Sequence, residues 1–251
     1  MVQRKKKKWV RRVVIGVLAL LICLGFTAYV YLQPYEASHR AIEAMSPSDE
    51  LSITSQEDWI LFQPTDSVGT SVIFYPGGLV EPESYAPLAR GIAKQGYPTY
   101  IVKMPLDLAV LGINKAEKVI EQQNHESYII GGHSLGGAMA GRFASNHQND
   151  IEGLFLLASY VDEGGSLAST SMPVLSIIGS NDGIMNIEKL EEGKQYVPKT
   201  ATYHELSGGN HSQFGSYGFQ EGDQKATISE GTQINQTTSF ITDWMTTNHL
   251  K

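Results

Sequence analysis

Tyr128-Ile129-Ile130-Gly131-Gly132-His133-Ser134-Leu135-Gly136-Gly137 joins an apolar run of strand length to an Ala- and Gly-rich stretch that continues as a helix to Asn146. The junction is a sharp turn with Ser134 at its apex. A serine hydroxyl is a poor nucleophile unless it is held clear of the backbone and deprotonated by a neighbour. A strand-to-helix turn does the holding, at the cost of strained backbone geometry at the serine. Its flanking positions are glycine because a Cβ there collides across the turn. The helix that follows adds free N–H groups and a partial positive charge, both suited to a developing oxyanion. Ser134 is thus the candidate nucleophile, and the N–H of Leu135 is one candidate oxyanion donor.

Working outward, apolar runs of strand length alternate with amphipathic stretches of helix length. Trp59–Phe62, Ser71–Tyr75, Thr99–Met104, Tyr128–Gly131, Leu154–Ala158, Val174–Ile178 and Tyr203–Leu206 read as strands. Ser84–Gln95, Asn114–Gln123, Leu135–Asn146, Ile187–Gln195 and Thr232–Asn248 read as helices. Continuous apolar strands separated by helices predict an α/β fold with a mostly parallel central sheet flanked by helices. Such sheets carry their active loops beyond the carboxyl ends of the strands.

With this context on both sides, Gly132-His133-Ser134-Leu135-Gly136 resembles the nucleophile elbow of the α/β-hydrolase superfamily. The resemblance covers roughly residues 57–248. It leans toward the small bacterial esterase-like and dienelactone-hydrolase-like branch, although dienelactone hydrolases use a cysteine where this chain has Ser134. The resemblance implies the order nucleophile, acid, histidine. Of the seven histidines, His39 and His249 lie outside the sheet region, His125 and His147 fall at helix ends, and His133 is inside the elbow. The resemblance places the general base at His211, in Ser207-Gly208-Gly209-Asn210-His211, with His204 as the rival. It places the acid at Asp182, in Gly179-Ser180-Asn181-Asp182-Gly183, with Asp162 as the rival. The acid fixes the imidazole tautomer and stabilises the imidazolium. The resemblance also implies a second oxyanion donor at the residue after Pro76-Gly77, which makes it Gly78, with Leu79 as the alternative.

Larger relatives insert a helical lid after the strand that follows the nucleophile helix. Here only Tyr160 to Met172 separates two strands, too short for a large cap. The expected site is an open cleft with Leu79, Tyr160 and Phe214 against the substrate. The segment Asn210–Gly218, followed by Gln220-Glu221-Gly222-Asp223, is long and polar for its place and is a candidate brace for the His211 loop. Neither a zinc-type HExxH nor a GxGxxG opening a dinucleotide fold is present, so neither a metal nor a cofactor is expected.

Hydrophobic residues make up 41% of the 251 residues and charged residues 18%, which suits a globular body rather than a disordered one. Charge divides the chain sharply. Seven of the 19 Lys and Arg lie in residues 1–32, which hold no acid, leaving twelve against 26 acids in the remainder. An acidic body excludes nucleic acid as a partner, because phosphate binding needs clustered cations. Val13–Leu32 carries no charge and, as a helix, spans roughly 30 Å, the hydrocarbon thickness of a bilayer. Residues 1–12 therefore read as a basic cytoplasmic tail and 13–32 as an uncleaved, single-pass signal anchor of the cell membrane. Residues 33–56 read as a short helix (around Tyr35–Met45) and a linker, and 57–251 as the catalytic domain, placed outside the membrane by the positive-inside rule. Cys23 is the only cysteine, so no intrachain disulfide forms.

The leading expectation is a serine hydrolase cleaving a small-molecule or lipid acyl ester through an acyl-enzyme. The same triad also suits an acyltransferase or an amidase. A reading of another class is a catalytically inactive, membrane-tethered binding domain.

Overall fold

The computed structural model describes residues 2–122 and 127–250. The chain divides into two units, residues 1–34 and 35–251. The first holds helix α1 (Val2–Tyr31), which joins the basic run to the apolar stretch. Among the described residues no helix is long and apolar enough to cross a membrane, so the expected span at 13–32 gains no support from the structure.

The second unit runs α2 (His39–Ala44), β1 (Leu51–Ser55), β2 (Trp59–Pro64), β3 (Thr70–Tyr75), α3 (Ala86–Ala93), β4 (Thr99–Val102), α4 (Ala116–Gln122), β5 (Ser127–His133), α5 (Leu135–Asn146), β6 (Ile151–Leu157), β7 (Val174–Gly179), α6 (Ile187–Gly193), β8 (Thr202–Leu206) and α7 (Glu230–Thr247). The strands form one eight-stranded sheet in the order β1-β2-β4-β3-β5-β6-β7-β8. From β4 across to β8 every pairing is parallel, while β2 is antiparallel to both of its neighbours.

Successive side chains of a strand point to opposite faces, and this splits the core in two. Val72, Phe74, Ile129, Phe155 and Leu157 face α3 and α7, packing with Leu88, Ile92, Ile241 and Trp244. Ile73, Tyr75, Ile130, Leu154 and Leu156 face the opposite way, packing with Val119, Met139, Ala140 and Phe143. All of β3 and β5 is buried, as a strand covered on both faces must be. Each fully buried large apolar side chain contributes about 1.5–3 kcal/mol.

The sequence expectation and the structure part company at several edges. The stretch expected as linker contains a strand, β1, which pairs with β2 from Leu51↔Pro64 to Ser55↔Ile60. The compact unit therefore begins at Tyr35 rather than 57. The helix expected at Ser84–Gln95 is a 3-10 turn, Pro82–Tyr85, followed by α3. The helix expected at Asn114–Gln123 is likewise a 3-10 turn leading into α4, and residue 123 lies outside the described residues. Between β6 and β7 only a 3-10 turn, Glu163–Gly165, breaks the loop, so no cap stands there.

Candidate active site

At the C-terminal edge of the sheet, β5 turns into α5 through Ser134. Its backbone sits at φ 50°, ψ −123°, a region that costs a non-glycine residue about 1–3 kcal/mol. The surroundings hold it there. The Ser134 N–H donates to the Leu157 carbonyl at 2.9 Å, and the Ser134 carbonyl accepts from the Gly137 N–H at 3.1 Å and the Ser159 hydroxyl at 2.7 Å. Glycine is obligatory on both sides. A Cβ on Gly132 would lie 2.6 Å from the Gly136 carbonyl carbon, and one on Gly136 would strike the carbonyls of Tyr75 and Pro76. Ser134 is also the N-cap of α5, yet its side chain makes no capping hydrogen bond. The hydroxyl is thus not tied into the helix it introduces.

Ser134 and His211 line one open cleft of about 280 Å³, with Leu135, Ala138, Tyr160 and Met185 among its walls. The His211 loop follows β8. Gly208, at φ 78°, turns the chain, and Asn210 is clamped by the buried Gln233 of α7. Gln233 accepts from the Asn210 N–H at 3.0 Å and donates to its carbonyl at 2.7 Å. The His211 Nδ1 lies 2.8 Å from Asp182 Oδ2, with both side chains only 2% exposed. The other Asp182 oxygen accepts from the N–H groups of Ile184 at 2.9 Å and Met185 at 2.7 Å. A carboxylate only accepts, so Nδ1 is the donor and Nε2 is left as the basic nitrogen.

The rivals sit elsewhere. Asp162 makes a two-pronged pair with Arg142, at 3.2 and 2.5 Å, and the guanidinium holds its carboxyl below the usual range. His204, on β8, stacks flat on Phe240 with ring centroids 4.3 Å apart. His147 bonds the Phe143 carbonyl and Glu117. His125 lies outside the described residues.

The turn after β3 distinguishes between the two candidate oxyanion donors on it. The Gly77 N–H donates to the Tyr85 hydroxyl at 2.9 Å, and the Leu79 N–H donates to the Asp107 carbonyl at 2.7 Å. Pro76 has no N–H, so Gly78 carries the one uncommitted amide of Pro76–Leu79 among the described residues. Gly78 also lies against Leu135: a Cβ built on it would be 3.1 Å from Leu135 Cδ2. The N–H of Leu135 opens α5, where no preceding carbonyl of the helix can satisfy it.

Two residues of this neighbourhood escape a reading of the sequence. The Tyr85 hydroxyl accepts from the Gly77 N–H and shares a 2.8 Å hydrogen bond with His133 Nδ1. The other ring nitrogen of His133, Nε2, is buried without a hydrogen-bond partner. The His133 ring packs on His211 with centroids 4.5 Å apart. Burial, and then the nearby His211, hold His133 well below the usual imidazole range. It is therefore neutral and does not oppose a positive charge on His211. No motif announces Tyr85, because its partner Gly77 meets His133 only through the alignment of Tyr75 with Gly132 across β3 and β5.

Of the expected substrate contacts, Tyr160 lines the cleft. Phe214 does not: it is 1% exposed and packs beneath His133, with centroids 5.8 Å apart. Leu79 is also absent from the cleft wall. Its carbonyl is drawn to the Tyr35 N–H at 2.7 Å and its N–H to Asp107. A wider groove of about 670 Å³ lies beside α4 and α5, lined by Leu111, Asn114, Lys118 and Arg142, and contains none of Ser134, Asp182 or His211. No group of three or more metal-ligating side chains is placed to hold an ion among the described residues.

Residues 71–235 match the model of the alpha/beta hydrolase family. The chain belongs to that family. Solved structures of the same fold include an esterase domain from Rhodothermus marinus, at 13% identity and a TM-score of 0.59, covering 78% of this chain and 97% of that one. A dienelactone hydrolase from Anabaena variabilis aligns at 12% identity and a TM-score of 0.58, covering 78% and 98%. An esterase from Mycobacterium tuberculosis aligns at 12% identity and a TM-score of 0.56, covering 82% and 96%. At such identities the likeness is one of fold. No curated protein matches the sequence of this α/β hydrolase.

Proposed function

We propose that this α/β hydrolase is a serine hydrolase of carboxylic esters, with Ser134 as nucleophile, His211 as general base and Asp182 as its acid partner. The observation that carries the reading is the buried His211–Asp182 pair opening on the same cleft as the strained Ser134. His211 Nε2 takes the Ser134 proton as Oγ attacks the acyl carbonyl. The amides of Leu135 and Gly78 hold the oxyanion. The tetrahedral intermediate collapses, His211 passes its proton to the departing alkoxide, and the acyl group stays on Oγ. Water, deprotonated by His211, then attacks the acyl carbon, and Ser134 recovers its proton as the acid leaves. Esterase-named structures of the same fold support the choice of an ester.

The wild type is expected to hydrolyse a short p-nitrophenyl ester and to be labelled by a fluorophosphonate at Ser134. Ser134→Ala lowers the turnover rate by about 10⁶-fold if the triad acts as a unit. Asp182→Asn costs about 10⁴-fold, whereas Asp162→Asn leaves the rate near wild type. Equal effects of the two aspartate changes, or no labelling of a folded wild type, overturn the reading.

For location, the proposal is a cell-membrane tether with residues 1–12 in the cytoplasm and the catalytic unit outside. Its support is the uncharged stretch at 13–32 behind the basic run.

A further inference from the structure

Between the turn that carries Asp182 and the loop that carries His211 sits a third turn, residues 220–224. Its Asp223 is a buried carboxylate, 9% exposed. Asp223 Oδ2 accepts from the Ser212 N–H at 2.8 Å and the Ser212 hydroxyl at 2.6 Å. Oδ1 accepts from the N–H groups of Gln224 at 2.8 Å, Gly183 at 3.0 Å and His211 at 3.4 Å. The same two loops are joined again by Asn210, whose side chain donates to the Gln224 carbonyl at 2.7 Å. Gly183 leaves no room to slip, since a Cβ there would lie 2.8 Å from the Gln224 nitrogen. Asp223 has no cation within ion-pair distance among the described residues, so its charge is held by N–H and O–H dipoles alone. Burial pushes its carboxyl up, but the bonds from Ser212, Gly183 and Gln224 outweigh it and leave the value below the ordinary one.

We propose that Asp223 is a positioning residue for catalysis: one carboxylate fastens the residue after Asp182 to the backbone of His211 and Ser212, and so sets the acid–base pair in register. The inference rests on the triad reading above. Its chemistry is one of geometry. Asp223 touches neither imidazole nitrogen, so it neither takes nor gives a proton. It fixes the backbones from which both partners of the 2.8 Å Nδ1–Oδ2 bond project. Productive geometry must be kept to a fraction of an ångström, and small misplacements cost rate.

The test is Asp223→Asn in the full-length protein, an isosteric change that puts an NH₂ donor where Ser212 or Gly183 already donates. Rates of p-nitrophenyl acetate hydrolysis are expressed per fluorophosphonate-reactive Ser134, so that unfolded chains do not count. We expect kcat to fall about tenfold or more, with KM within about twofold. We also expect loss or shift of the low-field proton resonance of the His211–Asp182 hydrogen bond. Ser212→Ala removes one donor to Asp223 and the acceptor of the Gln220 N–H and is expected to move both readouts the same way by less; it carries the test if the asparagine variant does not fold. Wild-type kcat and an unmoved resonance in folded Asp223→Asn overturn the proposal, as does a change in KM alone. A folded wild type inert to both probes defeats the triad reading, and this inference with it.

Discussion

At the scale of single residues, the proposed site leans on a histidine other than the proposed base. His133 packs on His211, and a charge on it would repel the imidazolium that the proposed mechanism forms on His211. Burial, helped by His211, keeps it neutral. The unfolded chain takes up a proton near the ordinary value of 6.5, while the folded one refuses it until a lower pH. His133 therefore costs nothing above pH 6.5 and withdraws stability as pH falls below it. Between about pH 6.5 and 5, the unfolding free energy of the wild type is expected to drop more steeply than that of His133→Asn. The difference in slope is up to about 1.4 kcal/mol per pH unit. Urea titrations across that range check this; parallel slopes would mean that His133 protonates freely in the fold. Ser134 and the glycines around His211 are legible in the sequence because backbone strain demands particular residue types. The partner of His133 is not legible, since a tyrosine at 85 has many uses and only the pairing of β3 with β5 shows which one applies.

At the scale of elements, the elbow works because α5 starts hard against the end of β3. The Cβ of an alanine at Gly136 would meet the Tyr75 and Pro76 carbonyls, which cannot yield without moving the turn that carries Gly78. Gly136→Ala is expected to lower stability by several kcal/mol and to abolish fluorophosphonate labelling. Thermal melting and labelling of the same sample check both; a stable, fully labelled variant contradicts the tight approach. The inner strands are legible for a related reason. β3 and β5 to β7 are covered on both faces, and an unbroken apolar run is their signature. β1 sits at the sheet edge with Leu51 as its one buried residue, so Leu-Ser-Ile-Thr-Ser carries little of that signal and passes for linker. Phe214 misleads in the opposite sense. An aromatic three residues after His211 suits a substrate wall as well as a core, and burial against His133 is decided by distant chain.

At the scale of the whole molecule, residues 35–251 hold the entire sheet and both halves of its core. That unit alone is expected to fold and to keep wild-type kcat toward a soluble ester, while the full chain is expected to sediment with membranes and resist alkaline carbonate washing. Extraction of the full chain by carbonate would sink the tether. Loss of turnover in the shortened form would show that α1 does more than attach. The lidless β6–β7 loop leaves the C-terminal ends of β5 and β8 open at the cleft that holds Ser134 and His211.

The clamp of Gln233 on Asn210 has a consequence for the order of events during synthesis. In a chain made N-terminus first, Ser134 and Asp182 are both synthesised while the loop of His211 still lacks the side chain that pins it. The helix holding that pin, α7, comes last among the elements of the unit. On the proposed mechanism, Ser134 therefore stays unarmed until α7 docks and pins the loop of His211.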